Sequence, residues 1–103
     1  PLTMRRAQEL AGTKVDGVMS GQIQGPHNAN IYAAEWGTEG SDWVEWASKK
    51  FGITDRPRNA GPKFIAAFLT EMNGQVGNGI IDPAPSQAVR EFQRRMNEGY
   101  IFR

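Results

Sequence analysis

Tyr32, Trp36, Trp43 and Trp46 fall within fifteen positions, interleaved with Glu35, Glu39, Asp42 and Glu45. Aromatic faces stack on sugar rings and carboxylates accept hydrogen bonds from hydroxyls, so the cluster holds the residue types of a glycan groove. The same residues suit a plainer role, with Trp36 and Trp43 in a core and the acids as helix-end charges. Trp46 lies off the main apolar stripe of its segment and is the better candidate for an exposed anchor. Glycoside hydrolysis needs two carboxylates at a set separation, one of them with a raised pKa. Glu35 and Glu39 would stand one turn apart only on a helix running through Gly37, so no catalytic residue is assigned and a non-enzymatic role is expected. His27 is the only histidine and there is no cysteine, which leaves neither a metal-ligand set nor a nucleophile–base pair. No metal or cofactor is expected, and His27 reads as a loop residue in a Gly-Pro-His-Asn turn.

Basic residues occur as Arg5 and Arg6, as Lys49 and Lys50, as Arg56, Arg58 and Lys63, and as Arg90, Arg94 and Arg95. Nucleic-acid binding would require them to converge on one surface. With 12 basic and 11 acidic side chains the net charge is +1, so solvated faces and helix-end charges are the expected reading, and nucleic acid is not an expected partner. No Walker-type, dinucleotide or EF-hand spacing occurs, and the Gly-Asn-Gly at residues 77–79 is too short to cradle a phosphate. No apolar run reaches the length of a membrane span.

These residues must be positioned by a small fold. The 103 residues suit one domain that buries a core without disulfides, supplied with three tryptophans, two tyrosines and five phenylalanines. Twelve glycines and six prolines predict short elements. Met4, Ala7, Leu10 and Ala11 recur at helical spacing over residues 3–11, with Gly12 as the stop. Residues 13–26 read as a loop, with a short β-hairpin through 15–23. Asn28 is placed to cap a second helix ending at Trp36 before Gly37. Ser41 caps a third, which has Asp42 and Glu45 in its first turns, Lys49 and Lys50 in its last and Gly52 as its stop. Residues 54–61 form a polar, basic connection. Pro62 opens a fourth helix carrying Phe64, Ile65, Phe68, Leu69 and Met72. Asp82-Pro83 or Pro85-Ser86 opens a fifth carrying Val89, Phe92 and Met96, ended by Gly99. Residues 100–102 are an apolar tail, expected to fold back over the core and alternatively available to a partner. The expected fold is therefore all-α, about five short helices with glycine-rich connections.

Two stretches repeat one another. AQELAGTKVDGVM at residues 7–19 and AFLTEMNGQVGNGII at residues 67–81 each run from a helix end through a polar-glycine pair, Asp16-Gly17 or Asn78-Gly79, to two apolar residues. Asp and Asn bond their own backbone in turns, and glycine supplies positive φ without steric cost. The chain thus divides into two degenerate halves, approximately residues 1–53 and 62–103.

NGIIDPAPSQAVREFQRRM, residues 78–96, resembles the helical peptidoglycan-binding domain of bacterial and phage cell-wall hydrolases, whose pattern runs DG-I-F-G-P-x-T-x-x-A-V-x-x-F-Q. Asn78, Gly79, Ile80, Pro83, Ala88, Val89, Phe92 and Gln93 fall on it without a gap. Gln8, Leu10, Gly12, Val15, Asp16, Gly17 and Val18 are similar to the opening of the related domain that ends some phage muramidases. Asn78 stands for Asp, Asp82 for the second Gly and Pro85 for the usual Thr. Met19-Ser20-Gly21-Gln22 replaces the Gly-Pro-x-Thr continuation in the first half. The resemblance implies a binding module for cell-wall glycan or stem peptide, located in a virion or cell envelope; without it a cytoplasmic location is the default. Its candidate ligand-binding residues are Tyr32, Trp36, Trp43, Trp46, Asn78, Arg90 and Gln93. The alternative is a virion component or host-inhibiting protein that contacts a protein partner through the aromatic patch.

Overall fold

The computed structural model describes residues 2–102. Along the chain the elements are α1 (Leu2–Ala11), β1 (Met19–Gln22), β2 (Ala34–Trp36), α2 (Asp42–Phe51), α3 (Pro62–Asn73) and α4 (Gln87–Glu98). Among the described residues, the expectation of an all-α fold with five helices is corrected to four helices and a small two-stranded parallel sheet.

The helix boundaries follow local chemistry. Ser41 accepts a hydrogen bond from the Val44 N–H, Asp42 and Glu45 occupy the positive end of α2, and Lys49 and Lys50 its negative end. Ser86 caps α4 in the same way through the Val89 N–H. Pro62, which has no N–H to leave unpaired, occupies the first turn of α3. Gly52, Gly74 and Gly99 end α2, α3 and α4 in the left-handed conformation.

The helix expected over residues 28–36 is absent, and so is the hairpin over 15–23. Asn28 does not cap a helix. It is fully buried, its Oδ1 accepting from the Gly25 N–H and its Nδ2 donating to the carbonyls of Ile23 and Ala60. The backbone then proceeds by separate i→i+3 turns, from Asn28 to Gly25, Ile31 to Asn28 and Ala34 to Ile31, and never settles into a helical ladder. β1 pairs in parallel with β2, Met19 opposite Ala34 and Gln22 opposite Trp36, with an irregularity between. Gln22 is also buried: its Oε1 accepts from the Ala60 N–H and its Nε2 donates to the carbonyls of Ser20 and Arg58. Two long-range amide side chains therefore override the local helical pattern, since each buried amide must find its partners. Gly21 is required at the crossing: a Cβ there would lie 2.4 Å from the Gly40 nitrogen.

The core joins all four helices around Trp43, which is 3% exposed. Its ring meets Phe92 edge-on at 5.8 Å and Phe64 at 6.5 Å, and its Nε1 donates to the Ala7 carbonyl at 3.1 Å. Met4, Ala7, Val44, Ile65, Leu69 and Met96 belong to the same buried cluster. Each such buried side chain of Val, Leu, Ile, Phe or Met size contributes about 1.5–3 kcal/mol relative to exposure. The tail folds back: Ile101 is buried, and Phe102 packs on Trp46 and Phe51. Among the described residues no helix is long and apolar enough to cross a membrane.

Candidate binding cleft

A half-open cleft of about 320 Å³ lies between the 30–33 turns, α3 and α4. Trp43, Phe64, Ile65 and Phe92 line its depth, and Phe68 and Val89 line its helical walls. Two backbone-anchored bonds build its lip. The Ile81 N–H donates to the His27 carbonyl at 3.0 Å, and Asn30 Nδ2 donates to the Ile81 carbonyl at 3.0 Å. They tie the turns at 27–33 to the loop after α3 and leave Ile81 buried beneath the join. The Ser86 cap fixes the start of α4, so Val89 and Gln93, one turn apart, face the cleft together. Polar groups are confined to a few positions, among them Thr3, Asn30, Tyr32, Asp82 and Gln93. A slot of this size, mostly apolar with a few polar groups, is the form of a small-ligand or side-chain pocket.

Of the candidate residues, the structure brings Tyr32, Trp43 and Gln93 to this cleft. Tyr32 stands at its rim and is 92% exposed, whereas Trp43 is its floor as well as the centre of the core. Trp46 lines a second, shallower depression with Lys50, Tyr100 and Phe102. There its ring is flanked by Phe102 at 5.6 Å and by the Lys50 ammonium at 5.4 Å. Trp36 on β2, Asn78 in the loop after α3 and Arg90 on α4 are exposed and line neither depression. The four aromatics therefore do not form one stacking platform.

Phe68, Val89, Ile81 and Asn30 were not among the candidates. Phe68 and Val89 carried a signal, since both belong to the apolar stripes of the last two helices, but a stripe does not tell a cleft wall from a closed core. Asn30 carried none.

The ionic groups lie apart from the cleft's depth. Arg58 bridges Asp42 at 2.7 Å and Glu45 at 3.2 Å, across the start of α2. Arg95 is fully buried and joins Glu91, Glu71 and the Ile101 carbonyl, each at 2.8 Å. Arg94 pairs with Glu91, Glu98 and the Tyr100 hydroxyl. The hydrogen bonds from Arg94, then Arg95, hold the Glu91 carboxyl down at about 2. Glu35 lies in β2 rather than on a helix, so the helical spacing to Glu39 does not occur. Asp82 is the one carboxylate among the described residues lining the cleft. Among the described residues no group of three or more His, Asp or Glu side chains is placed to hold a metal ion.

No family model matches the chain, and no curated protein and no solved structure matches it significantly.

Proposed function

We propose that this chain is a binding module that holds bacterial cell-wall peptidoglycan through its stem peptide, in the cleft between the 30–33 turns, α3 and α4, without performing chemistry on it. One observation carries the reading. The stretch at 78–96 that resembles a peptidoglycan-binding domain also supplies one side of the cleft, through Ile81, Asp82, Ala84, Val89, Phe92 and Gln93. The stem peptide is favoured over the glycan because Tyr32, Trp36 and Trp46 open on different surfaces, whereas alanine methyl groups fit an apolar slot and peptide amides meet the Asn30 and Gln93 side chains at its edge. A virion or cell-envelope location follows from this ligand. Sedimentation with purified sacculi tests the reading. The protein should pellet at low and moderate salt and be released by soluble stem peptide; protein left in the supernatant at both salts removes the proposal. A zymogram on the same sacculi should show no clearing.

A second reading is favoured by the composition of the walls. A cleft lined chiefly by Phe, Trp, Ile and Val side chains also suits an apolar anchor side chain from a protein partner. Under that reading sacculi fail to retain the protein, and an apolar peptide rather than a stem peptide protects the cleft from exchange or labelling.

A further inference from the structure

Asparagine followed by glycine occurs twice in this chain, at Asn73-Gly74 and Asn78-Gly79, and aspartate followed by glycine once, at Asp16-Gly17. All three pairs share one intrinsic chemistry. The backbone nitrogen of the glycine can attack the side-chain carbonyl carbon of the preceding residue, unhindered because glycine carries no Cβ. The structure gives the three pairs different surroundings.

At Asp16-Gly17 the attacking nitrogen is occupied. The Gly17 N–H donates to Gln8 Oε1 at 2.9 Å in a buried site, and Gln8 Nε2 holds the Asp16 carboxylate at 2.9 Å. At Asn73-Gly74 the nitrogen belongs to the end of α3, where the Gly74 N–H donates to the Thr70 carbonyl at 2.9 Å. Ring closure there must first unwind a helical turn that buries Met72. Asn78 is held only by the bonds of an exposed surface turn. It is exposed and lies between Gly77 and Gly79, both at positive φ, where a Cβ added at either glycine would meet nothing within 4 Å beyond its own chain neighbours. The Gly79 N–H is held by one bond, to the Val76 carbonyl at 3.1 Å, within a surface turn. The Ile80 N–H donates to Asn78 Oδ1 at 3.2 Å, which folds the side chain over its own backbone and draws electron density from the carbon to be attacked.

We propose that Asn78 is a site of spontaneous deamidation that gives this loop a slowly acquired negative charge. The Gly79 nitrogen forms a bond to the Asn78 side-chain carbonyl carbon and loses its proton. The bond from that carbon to the side-chain nitrogen breaks, and ammonia leaves. Water then opens the five-membered imide at either carbonyl, giving aspartate or isoaspartate. Each event lowers the net charge of +1 by one. The aspartate product keeps the turn: the Asp16 carboxylate already accepts the Val18 N–H at 3.1 Å in the matching turn of the first half. The isoaspartate product inserts an extra backbone carbon between residue 78 and Gly79, and so lengthens the chain leading to Ile81 at the lip of the cleft. The proposal does not depend on what the cleft binds.

The test is peptide mapping by mass spectrometry of the full chain held in mildly alkaline buffer, folded and in denaturant. In the folded chain conversion at Asn78 should outpace Asn73 by about tenfold or more, because an exposed loop opens far more readily than a packed helix end. In denaturant the two rates should converge. Equal rates in the folded chain, faster conversion at Asn73, or an Asn78 that reacts only in denaturant each overturn the proposal. Asn78→Asp provides a second measurement: the acidic species that accumulates on ion exchange should no longer form, and its appearance at the original rate also overturns the assignment.

Discussion

Gln8 and Asp16 are locked together. Gln8 Nε2 donates to Asp16 Oδ1 at 2.9 Å, and Gln8 Oε1 accepts from the backbone N–H groups of Asp16 at 3.0 Å and Gly17 at 2.9 Å. A residue of α1, 3% exposed, thereby folds the turn that delivers Met19 into the core. Gln8, Asp16 and Gly17 are also the polar and glycine positions of the first-half motif, along with Gly12. Their spacing is accounted for by turn closure without a ligand. Gln8→Leu should then destabilise the fold by about 1–3 kcal/mol, because the buried Gly17 N–H loses its partner. Denaturant titration measures this; a change within error would mean that the turn closes without the clamp.

The same turn gives a pH dependence. Burial raises the Asp16 pKa, but the hydrogen bonds from Gln8 and the Val18 N–H and the charge of Lys14 outweigh it, and the net position is below the ordinary 3.8. Glu91 is held down to about 2 from 4.5 by Arg94 and Arg95. Both folded pKa values lie below the unfolded ones, so the unfolded chain binds more protons in this range and stability rises with pH. The contributions are complete above the unfolded values near 4 to 5 and are lost as pH falls towards 2. Thermal melts should show the midpoint falling below about pH 4.5. Glu91→Gln should flatten that fall, and an equal slope in the variant would remove Glu91 from the account.

Arg95 gives the tail its position. It donates to the Glu71 carboxylate and carbonyl, to Glu91 and to the Ile101 carbonyl, while Tyr100 lies 5.6 Å from the guanidinium. Arg95→Ala should cost about 3 kcal/mol, the lower end for breaking a buried ion pair because Glu71 keeps some access to water. Since the planar fork serves several acceptors at once, Arg95→Lys should recover only a part of the loss. The segment at residues 100–102 should also become accessible to limited proteolysis. Wild-type resistance in the Ala variant would show that Ile101 and Phe102 hold the tail unaided.

Much of the helical frame was legible because its signals are local. Ser41, Pro62, Gly52 and Gly99 act within a turn of where they stand, and the placement of α2, α3 and α4 followed from them. Residues 28–36 were misread for the opposite reason. Asn28 and Gln22 look like a cap and a loop residue, but their roles lie across the chain, at Ala60 and Arg58. Nothing local announces such a partner, nor a parallel strand pair joined by turns alone. The cleft was half legible. Tyr32, Trp43 and Gln93 reach it, whereas Trp36 on β2 lines neither depression and Trp46, although its ring lies 6.3 Å from that of Trp43, opens on the second depression under the folded tail. The paired turns at Asp16-Gly17 and Asn78-Gly79 were legible in their backbone, Gly17 and Gly79 having φ of 78° and 74°, but of the apolar pair after each turn only the second member, Met19 or Ile81, is buried, while Val18 and Ile80 stay partly exposed.

Binding and folding can be separated on α4. Val89 lines the cleft, is only partly buried, and is the third helical residue after the Ser86 cap. An aspartate there faces the positive end of the helix, which stabilises it by about 0.3–1 kcal/mol and offsets much of the lost apolar contact. Val89→Asp should therefore leave the circular dichroism spectrum and the melting midpoint nearly unchanged while placing a charge in the slot. Retention on sacculi should fall by about tenfold or more, since an unpaired charge in an apolar pocket costs more than the contact it replaces. Trp43→Ala acts differently: it removes the ring joining α1, α2, α3 and α4 and should cost about 3–5 kcal/mol of stability. Val89→Asp protein that still folds and still pellets with sacculi would show that the ligand lies elsewhere, and the second depression, at Trp46 and Lys50, would then be the surface to test.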